Sequence, residues 1–124
     1  KITIITSDMD YLQLACENVE LYDLKFKKLT ERKSSYNNAE KDLFVKIITG
    51  DKSDNIKGVF KRCGSKTACK YYENKELFEE KLKKEDGAME RYLLNKKIID
   101  FNEIPEELVN NFMNHYELNY SQVV

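Results

Sequence analysis

Four carboxylates stand in two close pairs, Asp8 with Asp10 in TSDMD and Asp51 with Asp54 in TGDKSD. Each pair directly follows an apolar run, KITIIT in the first case and FVKIIT in the second. A loop aspartate by itself is ordinarily a turn former or helix cap. Two pairs behind two core elements, an S-D-x-D and a G-D-x-x-D, instead offer the several hard oxygen ligands that a cation such as Mg²⁺ requires. Two such ions about 3.5–4 Å apart stabilise both the attacking and the departing oxygen of a phosphodiester and acidify the attacking water. The chemistry this implies is hydrolysis without a protein nucleophile. His115 is the only histidine and falls in a helix-forming stretch, so no Ser-His-Asp or Cys-His arrangement competes. DKSDNI also fails as a calcium loop, because its sixth position is Ile56 rather than Gly and its twelfth is Arg62 rather than Glu.

A second group of residues lies just downstream. Lys57, Lys61, Arg62, Lys66 and Lys70 cluster with no acidic residue from Lys57 to Lys70, in a chain with 21 Lys plus Arg against 22 Asp plus Glu. Read plainly, they form a solvated basic face. Two helices joined by a glycine-containing turn, however, direct backbone N–H groups and a helix N-terminus toward a phosphate, with Lys66 and Thr67 on the first turn of the second helix. Such contacts hold a nucleic-acid backbone without reading its bases.

These residues need elements to position them. Ile2 to Thr6 is β-branched throughout, which predicts a strand buried on both faces in a parallel sheet, with Asp8 and Asp10 at its carboxyl end, where the crevice of an open α/β sheet lies. A short helix is expected over 11–16, and two short strands or an extended hairpin over 19–24 and 26–29. Asn37 with Glu40 reads as a capping box. Ala39 to Thr49 then has helical apolar spacing and ends at Gly50. Further helices are expected over 65–73, 75–84, 88–97 and 105–118, with IIDFNEIP an extended connector. The 124 residues suit one domain, and 8 Tyr and 6 Phe argue against disorder despite 35% charged residues. Cys16, Cys63 and Cys69 are odd in number with no C-x-x-C pair, so reduced thiols are expected. No apolar run approaches the roughly 20 residues of a membrane span.

The segment IITSDMDYLQL resembles the strand and metal loop of the 5′ nuclease superfamily, which includes bacterial polymerase-associated 5′ nucleases, phage 5′ exonucleases and flap endonucleases. IITGDKSDNIKGVFKRCGSKTA is similar to its second metal loop and helix-three-turn-helix, in the same order along the chain. The intervening region and IIDFNEIP look most like the branch containing the ribonuclease H of T-even phages and nucleases of large DNA viruses. The resemblance covers the chain up to about Pro105. It implies an α/β fold: part of a PIN-like parallel-sheet nuclease core over 1–50, then the second metal loop, helix-three-turn-helix and further helices over 51–124.

The same resemblance makes Asp8, Asp10, Asp51 and Asp54 catalytic metal ligands for two Mg²⁺ ions, with Mn²⁺ as a substitute. It makes Lys57, Gly58, Val59, Lys61, Arg62, Gly64, Ser65, Lys66, Thr67 and Lys70 the DNA-binding hairpin, with a K⁺ ion on its carbonyls. The implied protein is an intracellular, monomeric 5′-3′ exonuclease or flap endonuclease acting on duplex DNA with a 5′ end, flap or nick, or on an RNA–DNA hybrid, without a membrane. The chain is expected to be the carboxy-terminal half, lacking the upstream acidic ligands and helical arch, and inactive alone. GVFKRCGSKTA departs from the family pattern by a longer, bulkier turn, and Lys57 stands where the family has Pro. The competing reading is a noncatalytic DNA-binding module that uses the hairpin alone. Four carboxylates beside a phosphate backbone would only weaken such a module.

Overall fold

A computed structural model describes residues 1–123, with side chains described through Glu117. The fold is mixed α/β. Strands β1 (Ile2–Ile5) and β2 (Val19–Tyr22) pair in parallel, from Ile2 opposite Val19 to Ile5 opposite Tyr22. The crossover between them carries a 3-10 turn, Met9–Leu14, slightly earlier than the helix expected over 11–16. The parallel direction agrees with the sequence reading, but burial on both faces does not. Among the described residues the sheet has only these two strands, and Ile2 and Ile5 are 59% and 58% exposed. Beneath the sheet, Leu12, Leu21 and Leu29 form a small core with Ile4 and Met9 against it.

The second extended segment expected over 26–29 is not a strand. The Asp23 carboxylate accepts the N–H groups of Lys25 and Lys27, and Phe26 adopts φ 62°, so the chain turns and only a single bridge joins Tyr22 to Lys28. A side chain that satisfies backbone donors locally competes with a ladder.

Helix α1 (Ala39–Thr49) has the expected bounds, but its cap is Asn38, whose side chain accepts the Lys41 N–H. Asn37, expected as the cap, takes φ 50° one residue earlier. Gly50 ends the helix at φ 75°, and a Cβ there would overlap the Ile56 carbonyl oxygen, so only glycine suits this turn. Helices α2 (Ser65–Glu73) and α3 (Lys75–Lys84) also keep their expected bounds. Helix α4 (Ala88–Ile99) runs two residues further than expected, and α5 spans Glu106–Val123.

IIDFNEIP is therefore not an extended connector. Its first two residues finish α4, and Phe101–Glu103 forms a 3-10 turn capped by the Asp100 carboxylate at the Asn102 N–H. Val45, Ile48, Val59, Phe60, Ala68, Tyr71, Phe78, Leu82 and Ala88 build the larger core, drawn from α1, the following loop and α2 to α4. Phe78 lies near its centre, edge-on to Phe44, Phe60 and Tyr92. Burying an aromatic or aliphatic side chain fully is worth about 1.5–3 kcal/mol, so this cluster holds α1 and its loop in place. No described helix is long and apolar enough to cross a membrane.

Candidate acidic site and basic hairpin

The carboxyl end of β1 and the end of α1 meet at a lysine. Lys46, in the last turn of α1, places its Nζ 2.8 Å from Asp51 Oδ2 and 3.4 Å from Asp10 Oδ1. The two acidic loops, 41 residues apart in sequence (51 minus 10), are thus joined on one side of the molecule. Asp8 and Asp54 are not part of this contact. Asp8 is exposed, and its Oδ1 accepts the Asp10 N–H and starts the 3-10 turn. Asp54 is exposed and lines, with Asp10, Lys57, Arg91 and Asn95, a cleft of about 440 Å³. Asp10 also lines a second cleft of about 340 Å³ with Gln13, Asp42 and Lys46.

The two joined carboxylates are electrostatically unlike. The Lys46 ammonium, then the Ser53 hydroxyl, hold Asp51 far below the usual carboxylate range. Asp10 is pushed up, chiefly by burial and further by the charges of Asp8 and Asp51, against the opposing pull of Lys46. Burial acts to lower the Lys46 ammonium, but Asp51 and Asp10 outweigh it and the net shift is upward. Asp10 Oδ1 is a buried oxygen without a hydrogen-bond partner, since Lys46 approaches it at ion-pair distance only. An unpartnered buried acceptor is costly and marks a place where a cation or donor would be stabilised.

With all three groups ionised, Asp10, Lys46 and Asp51 sum to one negative charge. Two hard oxygen donors, one of them the orphaned Asp10 Oδ1, suit a divalent cation. Asp10 and Asp51 are the residues that would hold it. The set is incomplete, because among the described residues no three Asp, Glu, His or Cys side chains converge closely enough to enclose a metal ion.

The basic hairpin divides into buried and open parts. Lys57, Lys61, Arg62, Gly64, Ser65, Lys66 and Lys70 are exposed and Thr67 is half-buried. Val59 does not share this surface: its side chain is fully buried in the larger core. Gly58 is tucked against α1, where a Cβ would meet the Thr49 and Ile48 carbonyl oxygens at 3.2 and 3.3 Å. The N-terminus of α2 begins at Gly64 with no side chain capping it, and space around Gly64 is open. That end leaves backbone donors facing outward.

Several site neighbours escape sequence reasoning. The Ile56 carbonyl accepts the Asp51 N–H, the Lys57 carbonyl accepts Asn95 Nδ2 at 2.7 Å, and the Val59 carbonyl accepts Arg91 Nε at 2.8 Å. Each of these three carbonyls thus has a donor within the protein. Glu85 enters from the turn before α4, accepts the Lys61 N–H at 3.0 Å and pairs with Arg91. An acid thus sits beside a segment that has none in sequence. Nothing local in the sequence announces Asn95, Arg91 or Glu85, whose partners lie 24 to 48 residues away. Lys46 does leave a signal, being the lone charge inside FVKIIT.

No family model matches the chain. Ribonuclease H of Enterobacteria phage T4 is 32% identical to it over 130 aligned positions, 94% of this chain. The chain spans 42% of that protein's length, along its carboxy-terminal part. This is the relative toward which the acidic loops and hairpin motif point.

Proposed function

We propose that this chain is the carboxy-terminal part of a 5′ nuclease, a metal-dependent hydrolase of phosphodiesters near 5′ ends or flaps of duplex DNA, with Asp10 and Asp51 among its metal ligands. The observation that carries this reading is the meeting of two sequence-distant acidic loops at one point, beside a buried carboxylate oxygen lacking a donor. Its similarity to a phage ribonuclease H over nearly the whole chain supports the same class.

The residues divide the work. Divalent ions, when bound, supply an acidified water and stabilise the developing charge on the phosphodiester oxygens. Asp10 and Asp51 bind and orient them. Asp8 keeps the Asp10 backbone in its turn, and Ser53 orients Asp51 through its hydroxyl and N–H. Lys57, Lys61, Arg62, Lys66 and Lys70, with the open end of α2, grip duplex phosphates without base contacts. RNA–DNA hybrids share those phosphates and are accommodated by the same grip.

The test joins this chain to the amino-terminal remainder of the phage relative. The chimera is expected to cut a 5′-flapped duplex in Mg²⁺, with Mn²⁺ substituting, and Asp51→Asn to lower the rate about 10³-fold with duplex binding retained. A parental rate in an Asp10→Asn, Asp51→Asn double variant would sink the assignment. Cleavage by neither chimera nor parent, with binding intact, would leave the noncatalytic DNA-binding module as the reading.

A further inference from the structure

We infer that Lys46 is a tethered counter-ion that spans Asp10 and Asp51 in the metal-free protein and must be displaced before a divalent cation can take both carboxylates. The inference rests on the metal reading above. Its basis is geometric. Lys46 projects from the last turn of a helix whose neighbouring residues Val45, Ile47 and Ile48 are buried, so its backbone is anchored while its flexible side chain can be re-aimed. Its ammonium end lies between the two loops, 2.8 and 3.4 Å from one carboxylate oxygen of each.

A lysine there is physically required when no metal is bound. Two half-buried carboxylates facing one another repel, and leaving either uncompensated in a low-dielectric site destabilises the fold. The ammonium relieves that repulsion. It does so imperfectly, since its approach to Asp10 Oδ1 leaves that oxygen without a hydrogen bond. A small, doubly charged ion can approach both oxygens together, whereas the ammonium sits 2.8 Å from one and 3.4 Å from the other. Asp42 stands one turn earlier on the same helix and lines the same cleft, with its carboxylate already accepting from the Ser35 hydroxyl and the Tyr36 N–H, so a displaced ammonium would join an acid that is held in place. The i, i+4 spacing with the acid on the N-terminal side is the favoured order for such a pair.

Competition of this kind is a coupling between two cations for one place, and it runs both ways. Removing the ammonium must strengthen metal binding, and metal must restore the stability that removing the ammonium costs. Lys46 is a positioning residue in this account, and the experiment reads binding rather than cleavage. Mn²⁺ would be titrated into this chain and into Lys46→Met and Lys46→Arg, with free Mn²⁺ followed by electron paramagnetic resonance.

Lys46→Met is expected to bind Mn²⁺ about tenfold more tightly than the parent, a typical size for such coupling, and Lys46→Arg to stay near the parent. In thermal melts, Lys46→Met should fall below the parent without metal and gain more from Mn²⁺ than the parent does. Lys46→Gln serves in the same role if the methionine variant does not fold. Equal or weaker Mn²⁺ binding by Lys46→Met, with Asp51→Asn still abolishing it, would overturn the counter-ion role and leave the metal reading standing. Mn²⁺ binding indifferent to both Asp10→Asn and Asp51→Asn would overturn the metal reading itself.

Discussion

The acidic site and the hairpin are neighbours built on opposite plans. Around the hairpin loop, the carbonyls of Ile56, Lys57 and Val59 and the N–H of Lys61 each have a partner within the protein, contributed by Asp51, Asn95, Arg91 and Glu85. At the acidic site, two carboxylates converge on one ammonium and a buried oxygen is left without a donor. Saturated polar groups fix a shape, whereas unsatisfied ones hold a place for something else. The difference separates a saturated scaffold that presents exposed cations from a cluster whose hydrogen-bonding capacity is left unmet.

The sharpest way to break the contrast is to unsaturate the hairpin. Asn95 is buried and donates to both the Ile47 and the Lys57 carbonyls. Asn95→Leu keeps the branching of the side chain but leaves two acceptors without donors, which should cost about 2–4 kcal/mol in urea unfolding. An unchanged unfolding midpoint would show that the loop is held by its apolar core alone.

A smaller effect is expected from acid on the sheet side. Arg32, then the backbone N–H groups of Lys27 and Lys25, hold the Asp23 carboxyl at about 2, against 3.8 for the free group. Because the folded value is depressed, its stabilisation is fully present above the unfolded value and fades as pH falls from about 4 toward 2. Asp23→Asn should flatten the melting temperature across that window. If parent and variant lose stability in parallel there, the Arg32 pair contributes nothing.

The smallest effects concern the hairpin surface. Lys66→Ala should shallow the salt dependence of duplex binding by about one unit per lost phosphate contact, whatever the sequence. At fixed ionic strength, Na⁺ and K⁺ should support binding equally, since the Ile56, Lys57 and Val59 carbonyls already have donors. A K⁺ preference would mean that these carbonyls accept an ion beside their present partners.

Much of this contrast is legible in the residues alone. Helical spacing from Ala39 to Thr49, glycine at position 50 and the turn before Ser65 place the elements correctly, because each is a local signal read over a few residues. The parallel direction of β1 is readable, but its exposure is not, since burial depends on how many strands lie beside it. The strand expected over 26–29 gives way to the Asp23 turn, where one carboxylate outcompetes a ladder with a single available partner. The two acidic loops can be matched by motif, but the ammonium between them depends on the rotation of α1. Asn95, Arg91 and Glu85 lie far along the chain from the groups they satisfy, and no spacing rule links them.

Helix α4 touches both regions. Along its first two turns and its middle, Arg91 and Asn95 hold the hairpin loop, and at its end Gln13 clasps the Ile99 carbonyl and the Phe101 N–H while also donating to the Asp10 carbonyl. The eight steps from Arg91 to Ile99 rise about 12 Å at 1.5 Å each. A helix bolted at both ends does not stretch. It works as a spacer, fixing the offset between the loop that follows α1 and the turn that carries Asp10.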